Sequence, residues 1–356
     1  MTKDSHNLLR LMLSGLEKTD AIFQPTQFWL SGVQKILDDI HQHGLQNFRS
    51  HKHALMYFVP LYAFPACYPL DPILLKADTF LEQNNIFCKK HRLLLHSFIK
   101  GEVQAFSDYR VFLATLSNTH PFCNHASESE VGEPAEQFVF DGKRYSRSFL
   151  NYLLGLNFLK QHCDLTGINT VLEIGGGFGS LGEILLSDKR NHCFYIDIDI
   201  PPISYIATYY LQEVFGTHAI GAYDELRKQK QLSISAMQHQ YQGIVLCPWQ
   251  LPKLRGTIDL FVNFISFQEM EPRTVKNYLH HVDRLQAKYI LLRNLREGKQ
   301  KATDHNGGVG VLEPITADDY DDFLHNYQLV ATNTVPFGYK TADGFHSELR
   351  IYRRKV

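Results

Sequence analysis

The sequence predicts an α/β protein: a doubly wound, mostly parallel sheet of seven strands whose last strand runs antiparallel, preceded by a mainly helical N-terminal part. Three observations carry this. From residue 169 onward, short β-branched and aromatic runs alternate with segments of helical periodicity, the pattern of strands joined by crossover helices. The closing stretch "YQLVATNTVPFGYKTADGFHSELRIYRR" holds two strands with no helix between them, so that last pair should be antiparallel. The first part of the chain shows helical spacing and little strand signal.

In chain order, "FWLSGVQKILDDIHQHG" places Phe28, Val33, Ile36, Leu37 and Ile40 on one face and stops at Gly44. "HRLLLHSFIKG" and "DYRVFLATLSN" read as further helices, and His91 and His96 stand at a packing spacing rather than that of a helical metal pair. "NHASESEVGEPAEQ" is acidic and carries Gly and Pro, the signature of a linker or mobile loop. "YSRSFLNYLLGLNFLKQH" is a helix with Ser146 as its cap and Phe149, Tyr152, Leu153, Leu156 and Leu159 inward. Strands follow at 169–174, 192–198, 243–247, 258–264, 288–293, 327–335 and 347–353, with helical segments that include 178–188, 203–215, 272–284 and 317–326. The expected division is a helical domain over 1–123, a linker or active-site loop over 124–147 and the α/β domain over 148–356.

Composition narrows the class. Lys+Arg is 36 against Asp+Glu 37, so no global field draws nucleic acid or an anionic membrane. No apolar run reaches the ~20 residues of a membrane span, and the polar start does not read as a signal peptide. The six scattered cysteines contain no CxxC pair and read as free thiols of a reducing cytoplasm.

The informative stretch is "VLEIGGGFGSLGEILL", residues 171–186. An apolar strand, then glycines, then a helix brings backbone N–H groups and a positive helix end to one point. Two ligands compete for it. Gly177, Gly179 and Gly182 form GxGxxG with Asp197 downstream, a nicotinamide-dinucleotide pattern. Glu173 followed by Gly175, Gly177 and Gly179 instead suits S-adenosyl-L-methionine, whose cationic methionine part an acid at the strand tip attracts while bare backbone accepts its flat approach. Asp199, fixed at the next strand's tip by Ile-Pro-Pro, is placed to take both ribose hydroxyls. Trp249, after the third strand, is placed either to stack on adenine or to fill the core.

These residues resemble the class I S-adenosylmethionine-dependent methyltransferases, whose Rossmann-like sheet closes with an antiparallel seventh strand. More narrowly, "EVGEP…FVFDGKRYSRSFLNYLLGLNFLK", "VLEIGGGFGSLGEIL", "DIPPISYIATYYL" and "DLFVNFISFQEM…YLHHVDRL" resemble the sugar O-methyltransferase family over about residues 125–353. The chain departs from that pattern at Gly132-Glu133-Pro134, where the family has Gly-Asn-Pro. The resemblance implies methylation of a hydroxyl on a sugar or glycoconjugate, with a non-sugar acceptor or a nicotinamide oxidoreductase as the competing readings.

Such chemistry asks for a general base at the carboxyl edge of the sheet. Asn263, Ser266 and Glu269 follow the fourth strand; Asn263 is expected at the cofactor and Glu269 as base or acceptor ligand, its plain alternative being a helix-start carboxylate. His346 and Glu348 begin the antiparallel last strand, and His346 is the second candidate base. The glycine-rich stretch 293–311 is an expected lid with His305 and Asn306 as contacts. "ITADDYDDFL" fits a capping box of Thr316 and Asp319 better than a metal site, so no metal is expected. The helical N-terminal part is expected to cover the acceptor or to form a homodimer.

Overall fold

The strand "TVLEI" carries apolar residues at both parities, so its two faces must both be covered. In the computed structural model, which describes residues 3–64, 68–86, 88–303 and 310–355, this strand sits mid-sheet with helices on either side. The N-terminal part contributes α1 (Lys3–Leu16), α2 (Gln27–His43), α3 (Lys52–Tyr57), α4 (Asp71–Gln83), α5 (Lys89–Ile99) and α6 (Glu102–Ala114). A hairpin of β1 (Phe138–Phe140) and β2 (Lys143–Tyr145) leads into α7 (Arg147–His162). There follow β3 (Thr170–Ile174), α8 (Ser180–Ser187), β4 (Phe194–Ile198), α9 (Ile203–Phe215), β5 (Ile220–Gly221), α10 (Tyr223–Leu226), β6 (Leu232–Ser233), α11 (Ile234–Met237) and β7 (Gly243–Leu246). The chain ends with β8 (Leu254–Arg255), β9 (Leu260–Phe264), α12 (Pro272–Arg284), β10 (Tyr289–Leu295), α13 (Ala317–Phe323), β11 (Tyr327–Asn333), β12 (Tyr339–Lys340) and β13 (His346–Arg354).

The sheet order is β11-β13-β10-β9-β3-β4-β7-β5. The pairs from β5 across to β10 are parallel, and β13 runs antiparallel to both β10 and β11. All seven expected strands are present in the expected sense, but the sheet has nine among the described residues: the short β5 and β12 add to it, β12 pairing with β13. The two-residue β5 and the small parallel pair of β6 and β8 have no sequence signal, being too short for periodicity to show. The strand order reverses beside β3, between β4 and β9, and there the carboxyl ends of the strands open a cleft.

Alternate residues feed two cores. Val171, Tyr195, Val245 and Val262 face the cluster built with α7, α8 and α9, and Leu172, Ile196, Phe261 and Ile290 face the one built with α12 and α13. Leu9, Met12, Trp29, Ile36 and Phe48 belong to the first of these clusters, so the helices before residue 124 share a core with the α/β part. Gly44 ends α2 with φ 77°, and Ser146 caps α7 by accepting from the Phe149 N–H at 3.3 Å, both as the sequence implies.

Residues 124–137 depart from the linker expectation. Two of their four acids, Glu128 and Glu136, are buried and pinned, while Glu130 and Glu133 are exposed. Glu128 and Arg49 form an ion pair at 2.7 Å with both side chains wholly buried. Glu136 accepts the N–H groups of Tyr62 and Ala63, each at 2.7 Å, and burial pushes its pKa up to about 7. Composition does not show this pairing, because the partners lie scores of residues away in sequence.

Candidate active site

The cleft beyond β3 and β9 encloses about 1170 Å³, open solvent included. One wall is the loop Gly175–Phe178 with Asp199 and Ile200; the facing wall comes from Phe264, Ile265, Ser266, Glu269 and Met270. The N-terminal part closes it with Thr26, Trp29, Met56, Tyr57 and Phe58, and α7 adds Ser148, Asn151 and Tyr152.

The loop can seat a ligand because two of its glycines serve different ends. Gly175 has φ 74°, and a Cβ there would collide with Ser266. Gly177 has φ 62°, and a Cβ there would meet only the Phe58 carbonyl, at 3.8 Å, so this backbone is bare toward the cleft. Its N–H donates to Asp199 Oδ2 at 3.1 Å, while Asp199 Oδ1 accepts the Ile200 N–H at 2.7 Å. Asp199 lines the cleft at the tip of β4, and burial raises its pKa to about 7.

Three further residues expected at the cofactor stand behind the wall. Glu173 is wholly buried, accepts from Tyr152 Oη at 2.7 Å and Tyr195 Oη at 2.5 Å, and is raised by burial to about 7. It acts through Tyr152 and the loop, not by touching the cleft. Asn263 is buried and fully engaged: Nδ2 donates to the Ile174 carbonyl at 2.8 Å and to Ser266 Oγ at 2.6 Å, and Oδ1 accepts from the Phe267 N–H and Asn294 Nδ2. It is a brace between the glycine loop and the turn after β9. Gly179 caps α8 with its missing side chain against Leu211, where a Cβ would lie 2.9 Å from Cγ, and so is needed for packing α8 on α9.

Two expectations are corrected outright. Trp249 does not line the cleft; Pro248 does. The indole lies under α1, where a side chain on Gly15 would strike it, and donates to Tyr223 Oη at 3.3 Å. His346 is at the sheet edge but not in the cleft wall. Its Nδ1 lies 2.6 Å from Glu297 Oε1, and its N–H donates to Glu297 Oε2. Glu348 beside it pairs with Arg350 at 2.8 Å. The antiparallel strand does start at the ligand edge, but β10 and β9 stand between β13 and the glycine loop on β3.

Glu269 keeps its place. It lines the cleft, is nearly buried and holds Lys299 Nζ at 2.8 Å. Burial raises its pKa, opposed by the Lys299 ammonium and a hydrogen bond from Trp29. Lys299 lies 3.9 Å from the Phe28 ring centroid, and Thr26 Oγ1 donates to the Glu269 carbonyl at 2.8 Å, so the N-terminal segment locks this carboxylate. Lys299, Trp29, Phe58 and Tyr152 are site residues that the sequence did not single out. Lys299 lies in the expected lid, whose His305 and Asn306 fall outside the described residues.

Below the loop lies a further acid. Asp197 is wholly buried next to Gly176 with neither oxygen partnered at hydrogen-bond geometry, and burial, Asp199 and Glu173 hold its pKa well above the carboxylate range. Among the described residues, the charged side chains lining the cleft are the two carboxylates Asp199 and Glu269, with no Arg or Lys. At "ITADDYDDFL" the Thr316–Asp319 capping box is formed, and Asp321 pairs with Arg350 at 2.6 Å. The described cysteines are free thiols; Cys67 falls outside the described residues. No described helix is long and apolar enough to cross a membrane.

No protein-family model and no curated protein matches the sequence. Solved structures overlap it in part. Magnesium protoporphyrin IX methyltransferase from Synechocystis PCC 6803 with bound SAH superposes with a TM-score of 0.39 at 15% identity, over 58% of this chain and 83% of that one. Mitomycin 7-O-methyltransferase gives 0.37 at 12%, over 58% of this chain and 54% of that one. The 1,6-didemethyltoxoflavin-N1-methyltransferase of Burkholderia thailandensis gives 0.37 at 14%, over 59% and 79%.

Proposed function

We propose that the protein is an S-adenosyl-L-methionine-dependent methyltransferase acting on a hydroxyl acceptor. The observation that carries this is the lining of the cleft: bare loop backbone with the carboxyl groups of Asp199 and Glu269 on its walls, and no Arg or Lys among the described lining residues. A site so rich in acid suits a cationic sulfonium and ammonium. Its described lining offers no Arg or Lys to the pyrophosphate of a nicotinamide dinucleotide. The residues fit the group: the bare loop from Gly175 to Gly177 would let it lie on main chain, Asp199 would hold its ribose hydroxyls, and Ile200 and Pro248 would offer an apolar slot for the base. When bound, S-adenosyl-L-methionine supplies an electrophilic methyl group.

The chain's own part is to orient the acceptor and take a proton. With the donor bound, the acceptor oxygen would take the methyl group as the methyl–sulfur bond breaks and the neutral thioether leaves, and Glu269 would receive the hydroxyl proton, a contribution of roughly 10²–10⁴-fold in rate. Lys299 opposes the burial that favours the neutral acid and fixes the Glu269 rotamer through the 2.8 Å contact. Trp29, Tyr57 and Phe58 exclude water from the reacting atoms. A sugar or glycoconjugate acceptor is supported by the sequence resemblance across about residues 125–353. The apolar wall of Met56, Phe58 and Met270 favours a second reading, a planar non-sugar alcohol or phenol.

Calorimetry with S-adenosylhomocysteine and NAD tests the cofactor: uptake of the first and not the second is expected, and the reverse ends the proposal. A panel of nucleotide sugars and phenols, assayed for methyl transfer with the wild type and Glu269→Gln, then separates the acceptors. The variant should lose rate by roughly 10²–10⁴-fold while cofactor binding stays within a few fold.

A further inference from the structure

The helical hairpin α4–α5–α6 leaves large apolar side chains in water with nothing over them among the described residues. Leu75 and Phe80 on α4, Leu93, Leu94 and Phe98 on α5, and Phe106 on α6 are each about half exposed or more, from 48% to 68%. Large exposed apolar patches mark interaction sites.

The charge around the patch says what covers it. At about 100° per residue, the inward side of α5 carries Arg92, Leu95, His96 and Ile99; Arg92 and His96 both pair with Asp78 of α4, at 2.6 and 2.7 Å. The outward side carries Lys90, Leu93, Leu94 and Phe98, with Lys89 at its edge and Lys100 at its end, all exposed. Between Glu82 and Glu102 there is no acidic residue. An exposed helix with leucine and phenylalanine in its centre and lysines on its flanks has the chemistry of an interfacial helix at an anionic bilayer: side chains enter the acyl boundary and ammonium groups meet lipid phosphates. A second copy fits worse. A two-fold interface centred on α5 would set Lys89 and Lys90 of one copy close to Lys100 of the other.

We propose that α5, flanked by α4 and α6, is a reversible docking face for anionic membrane surfaces. The near-neutral whole chain does not oppose this, because the field that counts decays within about a Debye length of the helix. The Ile99 carbonyl at the end of α5 accepts the Phe64 N–H at 2.8 Å, and the chain just before Phe64 supplies Met56, Tyr57 and Phe58 to the cleft wall. This inference stands independently of the methyl-transfer reading.

The test is sedimentation of the full chain with phosphatidylcholine vesicles with and without phosphatidylserine. Binding only to the anionic vesicles, weakening as salt is raised, is expected. Lys89→Ala and Lys90→Ala should each weaken it about fivefold, and Leu94→Ser with Phe98→Ser by tenfold or more. These positions are exposed, and unchanged helicity and S-adenosylhomocysteine binding in the variants show that the fold is intact. Equal binding to neutral vesicles, or none to either, overturns the proposal. So does concentration-dependent dimerisation in sedimentation velocity that the Leu94/Phe98 variant abolishes, since the face would then belong to a second copy.

Discussion

Alanine at Gly177 and at Gly175 separates ligand seating from folding, because the two positions face different neighbours. Both have positive φ, which costs an L-residue about 1–2 kcal/mol. At Gly177 that is all the fold loses, since the new methyl would meet only the Phe58 carbonyl, at 3.8 Å. The methyl does, however, stand about 1.5 Å proud of the main chain, on the surface where the ligand lies. A ligand lifted by that much loses its reach to Asp199, a charge-assisted hydrogen bond of about 1.5–3 kcal/mol, hence about 10- to 100-fold in affinity. At Gly175 the methyl strikes Ser266 inside the protein, adding about 1–3 kcal/mol of overpacking. The expected pattern is therefore crossed. By calorimetry Gly177→Ala loses S-adenosylhomocysteine affinity with a modest drop in melting temperature. Gly175→Ala loses stability by clearly more. Gly177→Ala binding the ligand as tightly as wild type would refute the claim that this backbone is the platform.

Other consequences follow from the buried charges. Arg49→Met or Glu128→Gln should each destabilise by about 3–5 kcal/mol in urea titrations, and the double substitution by less than either, because a lone buried charge costs more than a missing pair. Glu173 has its pKa raised in the fold to about 7 from an ordinary value near 4.5. The folded state therefore holds the proton more tightly, and the stability this group contributes falls as pH rises from 4.5 to 7. Relative to Glu173→Gln, the wild type's urea midpoint should drop between about pH 5 and about pH 8; a rise would contradict the burial of this acid. His346→Ala should leave methyl transfer within about twofold of wild type, since its partner is Glu297 and not the cleft; a loss comparable to that of Glu269→Gln, roughly 10²–10⁴-fold, would restore it as the base.

The sequence by itself determined the sheet, its antiparallel close and the stretch where a ligand meets backbone, because hydrophobic period, glycine runs and Ile-Pro-Pro stops are local signals. It also named Gly175, Gly177, Asp199 and Glu269 correctly as cleft residues, since strand tips in such a sheet all point to one edge. Which way a side chain turns at that edge is not local. Glu173 and Asn263 sit on the right strands yet face inward, into Tyr152 and Tyr195 or into the Ile174 carbonyl. Trp249 followed the right strand but was claimed by α1. The acidic stretch after residue 124 read as a linker or mobile loop until Arg49, far away in sequence, met Glu128 in the core. Only the tertiary structure could bring Trp29, Phe58 and Lys299 to the cleft, because their contacts there depend on how the N-terminal helices and the loop after β10 pack over the sheet, and no periodicity records that packing.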